Sequence, residues 1–356
     1  MERLVSVYRG DLLESFHVGS IAIVDSNGRL LAFVGDPSTT CFLRSSSKPF
    51  QAIPLLQEGG LEEFDLTLEE IALTCGSHGG EPFHVSTAAA LLRKGELDES
   101  DLQCGLHIPY DEKAAAELRL SGDAPSVLQN NCSGKHAGML LAAGLMDASI
   151  QNYTDPSHPL QLQVRKTLAD FAGLTPEQIP FGVDGCGVPS YALPLYRSAL
   201  AYARLIASGT GTGDSGTLPR YADSARQVLE AMTTHPDYVA GAWSITTPLM
   251  EAMKGQLIAK EGAEGFYSMG LFPELARELQ EFTDVADGAA VGIAMKIADG
   301  SMDRGRNPAI LRTLELVGLN PAAASSQLAR YADPSLRNAS GTVIGEVRAE
   351  FDLRFL

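Results

Sequence analysis

The order of apolar segments constrains this chain more than any other feature: strand-like runs stand at both ends and helix-like ones fill the middle. Near the start, Ser20-Ile21-Ala22-Ile23-Val24 and Leu30-Leu31-Ala32-Phe33-Val34 flank Asp25-Ser26-Asn27-Gly28. Asn-Gly supplies the positive φ angles of a type I′ hairpin turn. After Asp36-Pro37-Ser38 a helix is expected from Pro49, because proline is comfortable in a first turn, whereas Pro54 strains that helix unless it lies near the start. Helices are predicted over 68–74, 83–94, 112–120, 135–145, 159–172, 191–207 and 219–232. Strands return at 256–259, 265–269, 289–297 and 343–351, separated by helices at 273–282, 308–317 and 322–331. The expected architecture is α/β (α+β): a central antiparallel-rich sheet built from both chain ends, with packed helices and a mainly helical middle. No internal repeat or clear linker interrupts it. Residues 1–356 therefore read as one unit, with a sheet-containing part of about 1–66 and 235–356 and a mainly helical part of about 67–234.

Composition removes several function classes. The chain has 356 residues, with 27 Lys+Arg against 44 Asp+Glu and a net charge of −17. Such an acidic balance argues against nucleic acid, whose phosphates need clustered Lys and Arg, and against an anionic membrane surface. No apolar run approaches the roughly 20 residues that span a bilayer. The first nine residues, Met1 to Arg9, hold no long apolar stretch of a secretory signal, so a cytoplasmic protein is expected. Five scattered cysteines (Cys41, Cys75, Cys104, Cys132, Cys186) are odd in number and show no C-x-x-C spacing, so they do not form a disulfide framework.

Several segments hold groups that can do chemistry. Ser45-Ser46-Ser47-Lys48 is an S-x-x-K match at a helix start, where residues three apart share a face. A lysine can deprotonate a hydroxyl only if burial or a second cation lowers its pKa; the plainer alternative is an N-cap before Pro49. Cys75-Gly76-Ser77-His78-Gly79-Gly80-Glu81 reads either as a helix C-cap or as a serine that glycines leave open to a ligand, with His78 as base or metal ligand. Asn130-Asn131-Cys132-Ser133-Gly134-Lys135-His136 packs reactive groups just ahead of an apolar helix. It fails as a P-loop, since Gln129 and His136 stand where Gly and Ser or Thr belong. Cys132 near a helix N-terminus suits nucleophilic attack or metal ligation. In Asp184-Gly185-Cys186-Gly187 a carboxylate at a glycine-rich turn can hold an α-ammonium group. Lys260 closes a short apolar strand, where it is either functional or an edge-blunting charge. The G-x-G-x-x-G match at Gly211, Gly213 and Gly216 follows a helix rather than a strand, so it reads as a loop.

Taken together, Arg44-Ser45-x-x-Lys48-Pro49, Cys75-x-Ser77-His78, Asn131-Cys132-Ser133-Gly134-Lys135-His136, Asp184-Gly185-Cys186-x-x-Pro189, Leu249-Met250 and Lys260-x-Gly262-Ala263 resemble the L-asparaginase II family (class 3, rhizobial type). The resemblance implies a fold similar to serine β-lactamases and glutaminases, a homodimer, and hydrolysis of the L-asparagine side-chain amide. It implies two Ser-Lys tandems, Ser45 with Lys48 and Ser77 with Lys260; the reaction expected of them has Ser45, deprotonated by Lys48, as nucleophile, with Ser77 and Lys260 relaying protons. Arg44, Asp184, His136 and Asn131 are then expected to grip the substrate. It further implies a zinc site at Cys132, Lys135 and Cys186, in a supporting role. One departure stands out: where relatives often carry Gly-Arg ahead of the Leu-Met pair, this chain has Trp243-Ser244. Alternatives are a glutaminase, a penicillin-recognising hydrolase (disfavoured by the lack of S-D-N and K-T-G triplets), a Cys132–His136 amidase, and a non-catalytic amino-acid sensor.

Overall fold

The computed structural model describes residues 1–212 and 216–356. Its strands are β1 (Glu2–Arg9), β2 (Leu12–Asp25), β3 (Leu30–Val34), β4 (Thr40–Phe42), β5 (Phe181–Val183), β6 (Pro189–Pro194), β7 (Leu257–Glu261), β8 (Phe266–Leu271), β9 (Val291–Ile297), β10 (Ser335–Arg337), β11 (Val343–Ala349) and β12 (Arg354–Phe355). The main sheet runs β10-β11-β1-β2-β9-β8-β7, with β3 paired to β2 and β12 to β3. Its pairings are antiparallel. The two chain ends therefore share one sheet, since β1 lies against β11 and β3 against β12. The long strand β2 joins the halves, meeting β1 through its first half and β3 and β9 through its second.

Helix Leu195–Thr210 covers this sheet with Ala199, Tyr202, Ala203 and Ile206 buried. That spacing puts four residues on one stripe. The approach is close enough that a Cβ on Gly292 of β9 would stand 1.8 Å from the Ala199 carbonyl oxygen, so only glycine fits there.

Three local expectations change. Gly28 alone adopts a positive φ, 93°, so the β2–β3 connection is not a type I′ turn, and the register shifts between Ile23 and Val24 as in a bulged hairpin. Residues 191–194 are not helical: they form β6, whose partners β4 and β5 come from distant sequence and override a local helical preference. Helix Lys48–Gln57 begins one residue before Pro49 and keeps Pro54 inside it. The loop expected around Gly211–Gly216 includes Gly213, Asp214 and Ser215, which lie outside the described residues; Ser208, Gly209 and Thr210 instead end a helix. Among the described residues, no helix is long and apolar enough to cross a membrane.

Candidate active site

The site forms where the start of helix Lys48–Gln57 meets the end of β7. Leu43 leads into a short turn, Arg44–Ser47, in which Arg44 takes a positive φ of 52°. A non-glycine residue there stores about 1 kcal/mol or more of strain, held by surrounding contacts. Those contacts are visible on the next residue but one: Ser46 Oγ donates to the Lys260 carbonyl (2.6 Å), and Tyr202 Oη donates to the Ser46 carbonyl (2.8 Å). Gly262 passes so close that a Cβ on it would stand 2.4 Å from the Leu43 oxygen. Ser45 is thereby left half-buried on a cavity of about 750 Å³, whose wall also holds Ser77, Asn131, Trp243, Glu261 and Arg306. Among the described residues, Ser45 Oγ has no hydrogen-bond partner.

Both lysines lie behind this wall. Lys48, buried, donates to the Gly76 carbonyl (2.6 Å), to Ser77 Oγ (2.8 Å) and to the Asn131 carbonyl (3.3 Å). Its hydroxyl partner is thus Ser77, from another segment, rather than Ser45 one turn away. Lys260 has no exposed surface and donates to the Glu261 carboxylate rather than to Ser77. Burial lowers its pKa to about 8; the Glu261 charge opposes that shift and the nearby Lys48 charge adds to it.

Glu261 was not singled out in the sequence. Burial alone would raise its carboxyl, but Lys260 and the hydroxyl of Thr246 outweigh this and hold it below the usual range. Ser244 Oγ also donates to it (3.1 Å), so Ser244 of the Trp243-Ser244 departure supports the anion beside Lys260. Trp243 donates its indole N–H to the Ala240 carbonyl (2.9 Å) and packs on Tyr110. The only sequence signal for Glu261 was a second charge at the end of an apolar strand.

The expected substrate-gripping residues divide. Asn131 lines the cavity, and its side-chain amide makes no hydrogen bond among the described residues. Arg44 and Asp184 satisfy each other instead: Nε (3.1 Å) and Nη2 (2.8 Å) both donate to Asp184 Oδ1. Burial would raise the Asp184 carboxyl, but this pairing outweighs it and holds it low. His136 is fully buried, with Nδ1 2.7 Å from Tyr153 Oη, and burial keeps its ring neutral. It does not line the cavity, because its side chain packs into the core instead. No hydrogen bond joins the His136 ring to the Cys132 thiol among the described residues. His78 is also internal: its Nδ1 accepts the Gly80 N–H (3.2 Å), which leaves Nε2 to donate to Ser133 Oγ (2.9 Å). That use of both nitrogens leaves it neither base nor metal ligand.

Cys132, Lys135 and Cys186 do come together, although they are drawn from two segments. Lys135 Nζ stands 2.9 Å from Cys186 Sγ. The Cys186 thiol, hydrogen-bonded to Cys132, holds Cys132 well below the ordinary thiol range against the effect of burial, and Lys48 and Lys135 add to this. Burial would lower the Lys135 amine, but Cys186 and Cys132 outweigh it and hold the amine above its usual range. Cys41 is pushed up by burial to about 11, and Cys75 and Cys104 to about 12, as inert thiols. Two sulfurs and one amine, with Cys186 touching the other two, fit a zinc ion, provided Lys135 and Cys186 give up their protons to it. Among the described residues no group of three His, Cys, Asp or Glu side chains could hold a metal ion.

The sequence matches the L-asparaginase II family over residues 5–349. No curated protein matches the chain. Among solved structures, one described as Mglu is 15% identical, with a TM-score of 0.46 over 85% of this chain and 67% of that one. Mglu in its native form is 17% identical with a TM-score of 0.46, over 85% and 65%. A Bacillus glutaminase in the presence of 4.3 M NaCl is 12% identical with a TM-score of 0.35, over 88% and 89%. At such scores these neighbours add nothing to the reading of the site.

Proposed function

Because the chain belongs to the L-asparaginase II family, a family of amide hydrolases, we propose that it hydrolyses the side-chain amide of L-asparagine to L-aspartate and ammonia through a serine acyl-enzyme. The observation that carries this reading is the Lys48 amine 2.8 Å from Ser77 Oγ, with Ser45 on the same cavity wall and Lys260 behind it. Burial lowers the Lys260 amine to about 8, and the neighbouring Lys48 charge adds to that fall. Lys48 is the lysine within reach of a serine. The Gly76 and Asn131 carbonyls take two of its N–H bonds, so its third direction faces Ser77.

In the proposed reaction Ser77 passes its proton to Lys48 and receives that of Ser45. Ser45 Oγ bonds to the amide carbon, and the C–N bond then breaks as the proton returns through Ser77 to the leaving ammonia. Water next attacks the ester, and Ser45 recovers its proton as aspartate leaves. The oxyanion would lie between the N–H groups of Ser45 and Ala263, two cavity-lining residues whose N–H groups have no backbone partner among the described residues. The N–H of Ser77 is not available, because it donates to the Val239 carbonyl (2.8 Å).

Asparagine and glutamine differ by one methylene, worth about 10- to 200-fold in discrimination. Ammonia release measured side by side is expected to give a kcat/KM for asparagine at least about 10-fold above that for glutamine. The reverse order would make the enzyme a glutaminase, and no release from either amide would leave a sensor.

Cys132, Lys135 and Cys186 are the residues that would hold zinc, which when bound supplies a fixed positive charge beside the lysines. Protein purified without chelator is expected to contain about one zinc per chain by elemental analysis, and Cys186→Ser to lose it. Absence of zinc from the unchelated protein would remove the metal from this reading.

A further inference from the structure

Arg306 ends the turn Met302–Arg306 and leads into helix Asn307–Leu316, far in sequence from either serine. It lines the same cavity as Ser45 and Ser77 and is only 2% exposed. Its Nε (3.1 Å) and Nη2 (2.9 Å) donate to the neutral amide oxygen of Asn307, and the guanidinium lies 5.4 Å from the Tyr267 ring centre. Nη1 is buried with no hydrogen-bond partner. No ion pair joins Arg306 to a carboxylate among the described residues. The nearby Glu261 already takes hydrogen bonds from Lys260, Ser244 and Thr246.

The Glu261 charge that supports Arg306 through space is shared with Lys260, and a buried cation with no direct ion pair and no acceptor for one N–H is disfavoured unless something supplies them. The other cations of the site have partners: Arg44 has Asp184, Lys48 two carbonyls and a hydroxyl, and Lys260 has Glu261. Arg330, on the outer part of the wall, is exposed to solvent. From this pattern we infer that Arg306 is a specificity-determining residue that receives the α-carboxylate of the substrate, with the reactive amide lying at the Ser45 end of the cavity. The inference rests on the amino-acid-amide reading above and assigns the carboxylate to Arg306 rather than to Arg44. A planar guanidinium suits a carboxylate better than an ammonium does, which separates it from the two lysines.

The test compares L-asparagine with β-alaninamide, which is asparagine without its α-carboxylate, by ammonia release. Arg306→Gln is expected to raise KM for asparagine about 30-fold or more, with kcat and the constants for β-alaninamide within about threefold of the wild type. Arg306→Lys should recover part of the loss. An equal loss for both amides would mark a merely structural arginine, and an unchanged KM for asparagine would overturn the assignment outright. Should Arg306→Gln fail to fold, Asn307→Asp tests the same point, because it gives the guanidinium an internal carboxylate. KM for asparagine should then rise while that for β-alaninamide stays level; no rise overturns it. If the wild-type enzyme releases ammonia from neither amide, the proposed reaction fails, and binding of the same two compounds is followed by the fluorescence of Trp243, the chain's only tryptophan. Preference for asparagine that vanishes in Arg306→Gln still supports the arginine, and equal binding in both proteins rejects it.

Discussion

Ser45→Ala abolishes ammonia release from asparagine, with a fall in kcat of about 10⁴-fold or more, as for other nucleophile deletions. The protein itself should remain folded, because Ser45 is half-buried and its Oγ has no hydrogen-bond partner among the described residues. Removing it leaves no buried polar group unsatisfied, so unfolding free energy should move by less than about 0.5 kcal/mol. This pairing of near-zero activity with unchanged stability is the signature of a group present for chemistry alone. Retention of more than a tenth of the wild-type kcat would transfer the nucleophile's role to Ser77.

Lys48→Met should cost both activity and stability. The lysine is buried, and methionine fills much of its volume without a donor. Loss of the base removes about 10²- to 10⁴-fold in kcat. It also strands the Gly76 and Asn131 carbonyls, which now accept from Lys48 at 2.6 and 3.3 Å. Unsatisfied buried acceptors of this kind destabilise by about 1–3 kcal/mol. Steady-state kinetics with a urea-unfolding midpoint on the same preparation separates the two effects. A variant as stable as the wild type would mean that Lys48 does not hold those carbonyls, and one as active would mean that it is not the base.

The parts of the fold that were legible in the sequence are those written in short-range patterns. The β2–β3 hairpin showed in its two apolar runs, and the shared sheet in the placement of strands at both ends. What depends on distant pairing was not legible. Tyr191 to Pro194 can be helix or strand by composition, and β4 and β5 decide the outcome. The same holds for the site. The S-x-x-K spacing draws attention to a lysine one turn from Ser45, whereas the folded chain turns Lys48 toward Ser77 from another segment. Cys132 and Cys186 stood out by their neighbours, and Cys186 does meet both Cys132 and Lys135. Arg44 and Asp184 stood out individually, yet nothing in either segment announces that each is the other's partner. Glu261 and Arg306 carry no motif, and their importance comes from burial, which single-residue patterns do not report. His136 fails for the complementary reason: a polar side chain at a helix start reads as accessible, but Tyr153 closes over it.

The most direct test of a serine acyl-enzyme is to quench the protein with acid during turnover of asparagine and to locate any covalent adduct by peptide mass spectrometry. An aspartyl ester on the peptide containing Ser45 is the expected result, lost in Ser45→Ala. An ester on the Ser77 peptide, or turnover with no protein-bound aspartyl group under any quench time, would contradict it.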